Sequence, residues 1–200
     1  LPFAHRIAIH TRGERAWLLV STLCGGKEHK DDWTQPGGIH LLTVPEELDA
    51  PWPERQIVPG LNKNHGMDYA ELGEEREQGY LLSAREGLLF MGIPEDPDGS
   101  WPVRTLDERE HSDAFAADWL GAGRPEIFTI SPFHGHVLSR HTQEDDGSWQ
   151  REAIDEDLAM GHVVWAGEFL GEPGMLAGSR REKRELRLYR PRDGAPRSGD

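Results

Sequence analysis

The chain has 200 residues, a formal charge of −14 from 36 acids against 22 bases, and 36% hydrophobic residues. That length suits one domain, 1–200, and a surface this acidic repels phosphate backbones, so no nucleic-acid partner is expected. With 23 Gly and 14 Pro, turns are frequent, which argues against a helical bundle or coiled coil; no apolar run reaches membrane-spanning length, so no membrane partner is expected either.

In chain order, the first strand is expected from His5 (HRIAIH), then Trp17–Leu23, Gly38–Val44 and the Trp-led segment Trp52–Val58. The same order returns with His65 (HGMDYAEL), Tyr80–Arg85, Gly87–Ile93 and Trp101–Asp107. A third pass reads Ser112 (SDAFAADW), Glu126–Ser131, Gly135–His141 and Trp149–Asp155. A fourth reads His162 (HVVWAGEF), Met175–Arg180 and Glu185–Tyr189. These stretches are rich in Val, Ile, Leu and aromatics and bounded by Gly, Pro, Asp or Asn, as strands are. Four short strands in each unit of about 45–50 residues predict an all-β protein, a β-propeller of four-stranded antiparallel blades. A sandwich or Greek-key barrel lacks that self-similarity. The blades are expected at roughly 3–60, 61–110, 111–157 and 158–193, and the last stops near Arg190–Gly194 without an outer strand. Such an arc needs further blades, or another copy, to close. The lone Cys24 excludes an internal disulfide. No charged-then-apolar leader is visible at Leu1-Pro2-Phe3.

Propeller geometry puts the starts of the inner strands and the loops after the second strands on one face. His5, His65 and His162 therefore face a central funnel. Beside them come Lys27, Lys30, Asp31 and Asp32 of the first unit, Arg85 of the second, His134 of the third, and Arg180 and Arg181 of the fourth. A cationic, His-lined funnel in an acidic protein suggests an anionic or polyoxygenated ligand. The bland alternative is structural: each repeated His ring can hydrogen-bond the backbone of the next blade. Trp33, in a long loop from about Leu23 to Pro36, is the candidate for stacking on a sugar, whereas Trp52, Trp101 and Trp149 recur at one position and read as packing residues. His10, His29, His40, His111 and His141 read as surface or turn residues, and Arg181, Arg184 and Arg187 as a solvated edge.

Two resemblances add to this reading. The turn from Asp118 to Ile127 (DWLGAGRPEI) resembles the D-x-D-G-D-G-x-x-D loop of FG-GAP (VCBS-type) propeller repeats, and Glu71–Glu74 and Glu168–Gly174 look like worn copies. In that family the loop can hold calcium. Here Leu120 and Ala122 replace the middle acids and leave Asp118 and Glu126, so a Gly-rich hairpin is expected in place of a strong calcium site. The stretch Phe3-Ala4-His5-Arg6, with Leu23–Lys27 and Lys30–Gly37, is similar to sugar-active seven-bladed propellers: the propeller domain of aldos-2-ulose dehydratase and the rhamnose–glucuronate lyase group. That resemblance implies β-elimination on a uronic acid or keto-sugar in a central His/Arg pocket. It also implies a divalent metal (Zn, Ca or Mg) and no organic cofactor.

For such an elimination, His65 or His162, with His5 and Tyr69 as further candidates, supplies the base or acid. Arg6, Arg85 and Arg180 clamp the anion, with Lys27, Lys30, Trp33 and His134 lining the substrate site. Alternatively His5, His65 and His162 hold the metal. The rival reading is a non-catalytic FG-GAP-type module that binds glycan or protein. A hydrolase is a weaker option, resting on Asp31, Asp32 and Asp68.

Overall fold

The computed structural model describes residues 1–182, 184–192 and 195–198. Its described elements are all strands: β1 Ala4–Arg12, β2 Arg15–Thr22, β3 Gly37–Thr43, β4 Glu54–Leu61, β5 Gly66–Leu72, β6 Glu77–Ala84, β7 Gly87–Gly92 and β8 Val103–Asp107. They continue with β9 Asp113–Ala117, β10 Glu126–Ser131, β11 Val137–Gln143, β12 Trp149–Asp155, β13 Gly161–Phe169, β14 Glu172–Ser179, β15 Leu186–Arg192 and β16 Ala195–Ser198. These form four four-stranded antiparallel sheets, each paired in chain order: sheet I β1–β4, II β5–β8, III β9–β12 and IV β13–β16.

Local chemistry explains the hairpins. Leu170 and Gly171 both take positive φ (57° and 81°) between the paired Phe169 and Glu172. Two left-handed residues in a two-residue loop match the twist of the flanking strands, and glycine supplies one of them without steric cost.

Side-chain alternation decides how the sheets stack. Trp17, Leu19, Ile39 and Leu41 of sheet I pack on Met67, Tyr80, Leu82 and Met91 of sheet II. Leu81, Leu88 and Phe90, on the other face of sheet II, pack on Ala114 and Ile127 of sheet III. Phe128, Ile130 and Leu138 then meet Val164, Met175, Ala177 and Tyr189 of sheet IV. A strand buried on both faces reads as an unbroken apolar run, and β6 carries Tyr80-Leu81-Leu82 with both faces covered. Sheets I and IV are covered on one face only. Ile7 and Ile9 are 68% and 69% exposed, and Val163 and Leu186 43% and 68%. Among the described residues no apolar cluster joins sheet IV to sheet I, so four sheets share three seams and no closed ring is seen.

One expectation is corrected. Sheet IV does have an outer strand: β16 pairs with β15 through Tyr189↔Ser198 and Pro191↔Pro196. Its proline content hid it in the sequence. Proline cannot donate to a ladder, but an edge strand has one side where no donor is needed. Asp193 and Gly194, where the fourth unit was expected to stop, lie outside the described residues. The third strand of sheet III also starts later than expected, because the Gly135 amide turns back to the Pro132 carbonyl at 2.7 Å.

The recurring tryptophans do pack. Trp101 Nε1 donates to the Pro97 carbonyl at 3.0 Å and Trp52 Nε1 to the Leu48 carbonyl at 3.2 Å, so the same turn is pinned twice. Trp101 is 5% exposed. Trp101→Phe, which keeps an aromatic ring but removes one of the two donors to that carbonyl and leaves Arg55 Nη2 at 2.7 Å, is expected to cost about 1 kcal/mol in urea unfolding. Trp52→Phe, at a half-buried ring, should cost less; equal losses would contradict this account.

A histidine cluster where the sheets meet

The first strands of successive sheets are neighbours, β1 beside β5, β5 beside β9 and β9 beside β13. Their starts therefore converge, and with them the residues that precede each strand. His5 stands in β1, His65 just before β5, Ser112 just before β9, and His162 in β13.

Two of these histidines tie one sheet to the next. His5 Nδ1 donates to the His65 carbonyl at 2.9 Å, and His65 Nδ1 donates to the Ser112 carbonyl at 2.9 Å. A carbonyl only accepts, so each bond puts the proton on Nδ1 and leaves Nε2 with a lone pair. The structural role foreseen for the repeated histidines is thus present, and it orients their other nitrogens.

The Nε2 of His65 faces a fourth histidine. The His134 ring, carried on the β10–β11 turn, lies 3.2 Å Nε2-to-Nε2 from His65. The His65 ring centroid is 4.2 Å from that of His5, 4.9 Å from His134 and 4.7 Å from His162. One ring nitrogen each from His65, His134 and His162 lie within 4.8 Å of one another. Burial, and then the charges of His5, His162, His134 and Arg6, push His65 down to about 2. Burial, with His162 and Arg180, pushes His134 down to about 4. His5 and His162 are lowered too, chiefly by burial. All four are therefore neutral near pH 7, the state in which imidazole binds metal.

A cationic and aromatic wall adjoins the cluster. Phe133 stacks on His134 at 4.0 Å between centroids and meets Trp33 edge-on at 5.5 Å. Lys63 Nζ lies 5.4 Å from the Phe133 centroid and 5.8 Å from that of Trp33. Arg6, Arg180 and Arg181 stand close enough for their charges to help lower the histidines. A cleft beside His134 is lined by His136, Met160 and Arg181.

Below the histidines lies a carboxylate the sequence reading passed over. Asp113 is buried at the start of β9; its Oδ2 accepts the Val164 amide at 3.0 Å and its Oδ1 accepts Arg6 Nη2 at 3.3 Å. Gly66 leaves it room, since a Cβ there would stand 3.0 Å from Asp113 Oδ1. Burial pushes Asp113 up to about 7, and Asp68 beside it is raised for the same reason.

The other expected site residues divide. Lys27 reaches Trp33, but its Nζ sits 3.1 Å from the ring centroid and covers the face that was to stack on a sugar. Lys30 is paired with Asp31 at an exposed loop tip. Asp32 is spent on that loop, accepting from the amides of Glu28 and Thr34. Arg85 is exposed on the β6–β7 turn, and no contact joins it to the histidines among the described residues. Tyr69 is half-exposed and donates to Glu71. It stands four residues along β5, about 13 Å beyond His65, so it takes no part in the cluster. Asp118 accepts the amides of Ala122 and Gly123, and Glu126 is bound by Arg140. His111 and His141, expected on the surface, are 0% and 1% exposed. Arg187, expected on a solvated edge, bridges Asp155 and Glu185. Phe133, Lys63 and Asp113 were missed. Asp113 carried the clearest signal, following the Ser112 that stands where other units have His.

No protein-family model matches the chain, and no curated protein matches it. Among solved structures, it is similar to one described as the structural basis of specific recognition of non-reducing terminal N-acetylglucosamine by an Agrocybe aegerita lectin. The TM-score is 0.49 at 12% identity, over 100% of this chain and 65% of that one. The chain thus spans less than two thirds of that structure's length.

Proposed function

We propose that the four sheets are blades of a β-propeller, and that the histidine cluster is a metal-assisted site for β-elimination on a uronic acid or keto-sugar. The observation that carries the reading is the convergence of His65, His134 and His162, from separate sheets, within 4.8 Å. Their neutral imidazoles suit zinc or a similar divalent ion. When bound, such an ion polarises a carbonyl or carboxylate oxygen.

The chain's own residues supply the rest. Arg6 and Arg180 attract and orient the carboxylate. His5 lies outside the trio, its Nδ1 proton held by the His65 carbonyl. Its Nε2 is free to take the proton alpha to the carboxylate. The β carbon–oxygen bond then breaks as the double bond forms, and the leaving oxygen takes a proton from water at the open rim. Water later removes the proton from His5. Phe133 and Trp33 wall the site on one side.

Incubation with uronate-containing glycans is expected to give the ultraviolet absorbance of a conjugated enoate. His5→Ala should lower that rate by at least about a hundredfold with binding retained. Enoate formation unchanged by His5→Ala would reject the role of His5. Binding of glycan with no turnover on any uronate or keto-sugar would favour the second reading, a glycan-binding module. That reading draws support from the direct His65–His134 contact, Nε2 to Nε2 at 3.2 Å, in which the two rings satisfy each other without an ion.

A further inference from the structure

We infer that Asp107, His111 and His141 form a second divalent-metal site, of zinc type, that fastens sheet II to sheet III. Asp107 ends β8 of sheet II, His111 lies in the link to β9, and His141 belongs to β11 of sheet III. One ligand atom from each lies within 4.8 Å of the others. Asp107 Oδ2 is 3.6 Å from His111 Nε2 and 3.9 Å from His141 Nδ1. Both separations are too long for a hydrogen bond. Ligands about 2.0–2.1 Å from a tetrahedral zinc stand about 3.3 Å apart, so small side-chain shifts suffice.

A second observation points to a ligand. His111 is fully buried, yet neither of its ring nitrogens has a hydrogen-bond partner. A buried imidazole with both nitrogens idle is costly, and a metal would satisfy the one that faces Asp107. The surroundings already orient the other ligands. His141 Nε2 lies 3.0 Å from Thr129 Oγ1, which directs Nδ1 toward Asp107. Asp107 Oδ1 accepts the Arg109 amide at 2.9 Å, which fixes the carboxylate plane. Such outer partners are typical of metal-binding His and Asp. Arg109 Nη1 also touches this carboxylate, at 3.1 and 3.2 Å, and Arg151 faces His141 from β12. These two cations temper affinity and disfavour a second bound cation. Two imidazoles and one carboxylate favour zinc over calcium or magnesium. His111 and His141 are closed to solvent and the Asp107 side chain is only 7% exposed, so the ion would serve structure.

The test separates this site from the cluster above. The variant His134→Ala/His162→Ala, with His65 and its carbonyl bond intact, is titrated with zinc while bound metal and thermal midpoint are measured. We expect one equivalent, a raised midpoint, and loss of both on chelation. Adding His111→Gln or Asp107→Asn should weaken zinc binding by roughly a hundredfold or more. No zinc in the double variant, or an equivalent that survives both added substitutions, would overturn the proposal. Should those variants not fold, crystals of the unsubstituted protein soaked in zinc decide. An anomalous peak between Asp107, His111 and His141 supports the site, and its absence there overturns it.

Discussion

His65→Asn is expected to remove the metal site proposed for the histidine cluster while leaving the sheets docked. His65 has two tasks on two nitrogens. Nδ1 donates to the Ser112 carbonyl, and Nε2 faces His134. An Asn amide nitrogen falls close to the position of Nδ1, so it can keep the first bond, but it has nothing in place of Nε2. Groups one bond further from a metal already cost 10–100-fold in affinity when lost. His65 would touch the ion itself, so bound metal should fall by one equivalent and enoate formation should fall to background. His65→Gln is the converse. Its amide lies close to Nε2 and leaves the buried Ser112 carbonyl unpaired, at a cost of about 1–2 kcal/mol. Calorimetric metal titration and urea midpoints on both variants check this. A histidine that only ties sheets would give an Asn variant with full metal content and full turnover.

The second large effect lies at the seam of sheets III and IV. Asp155 of β12 accepts from the Tyr189 hydroxyl and from Arg187 Nη1 at 2.9 Å, both on β15. Tyr189 is 1% exposed, and the Asp155 side chain 13%. Asp155→Ala leaves the buried Tyr189 hydroxyl without its acceptor and takes one carboxylate from the Arg187 guanidinium, which keeps Glu185, at a cost of about 2 kcal/mol. Burial raises the Asp155 carboxyl, but the Tyr189 hydroxyl, the Asp157 amide and Arg187 outweigh it, so the group is held below its usual 3.8. A carboxyl depressed in the native state stabilises it above the unfolded value, and that contribution fades as pH falls through the folded value. Wild type should therefore lose stability below about pH 4, and Asp155→Ala should lose less over the same range. Urea midpoints at pH 7 and pH 3 measure both slopes; parallel slopes would exclude this carboxylate as their source.

Much of the fold was legible because its signals are local. Tyr80-Leu81-Leu82 and Glu126–Ser131 announce strands by composition, and the tryptophans at 52, 101 and 149 mark the period. The histidine cluster was legible for the same reason: the repeat puts His5, His65 and His162 in one register, and the loop rule adds His134. The failures concern partners set by packing. Nothing within a few residues of His111 or His141 says that sheets II and III close over them. Lys27 covers Trp33 because the loop folds back on itself, and no strand period governs that. Tyr69 shares an inner strand with His65, but distance along the strand removes it from the site. β16 was hidden because proline is read as a terminator, although at an edge it terminates nothing.

The three seams among four sheets bear on how the histidine cluster can be regulated. In a stack where each layer touches only its neighbours, the end layers detach most easily. His5 belongs to one end sheet and His162 to the other, while His65 and His134 come from between them. A substrate reached, as proposed, by Arg6 and His5 from one end and by Arg180 from the other would bind only molecules in which neither end sheet has lifted away. By mass action it favours those molecules. Occupancy of the proposed site would thereby be coupled to the integrity of the whole stack, and whatever covers the bare faces bearing Ile9 and Leu186 would tighten binding at the histidines without touching them.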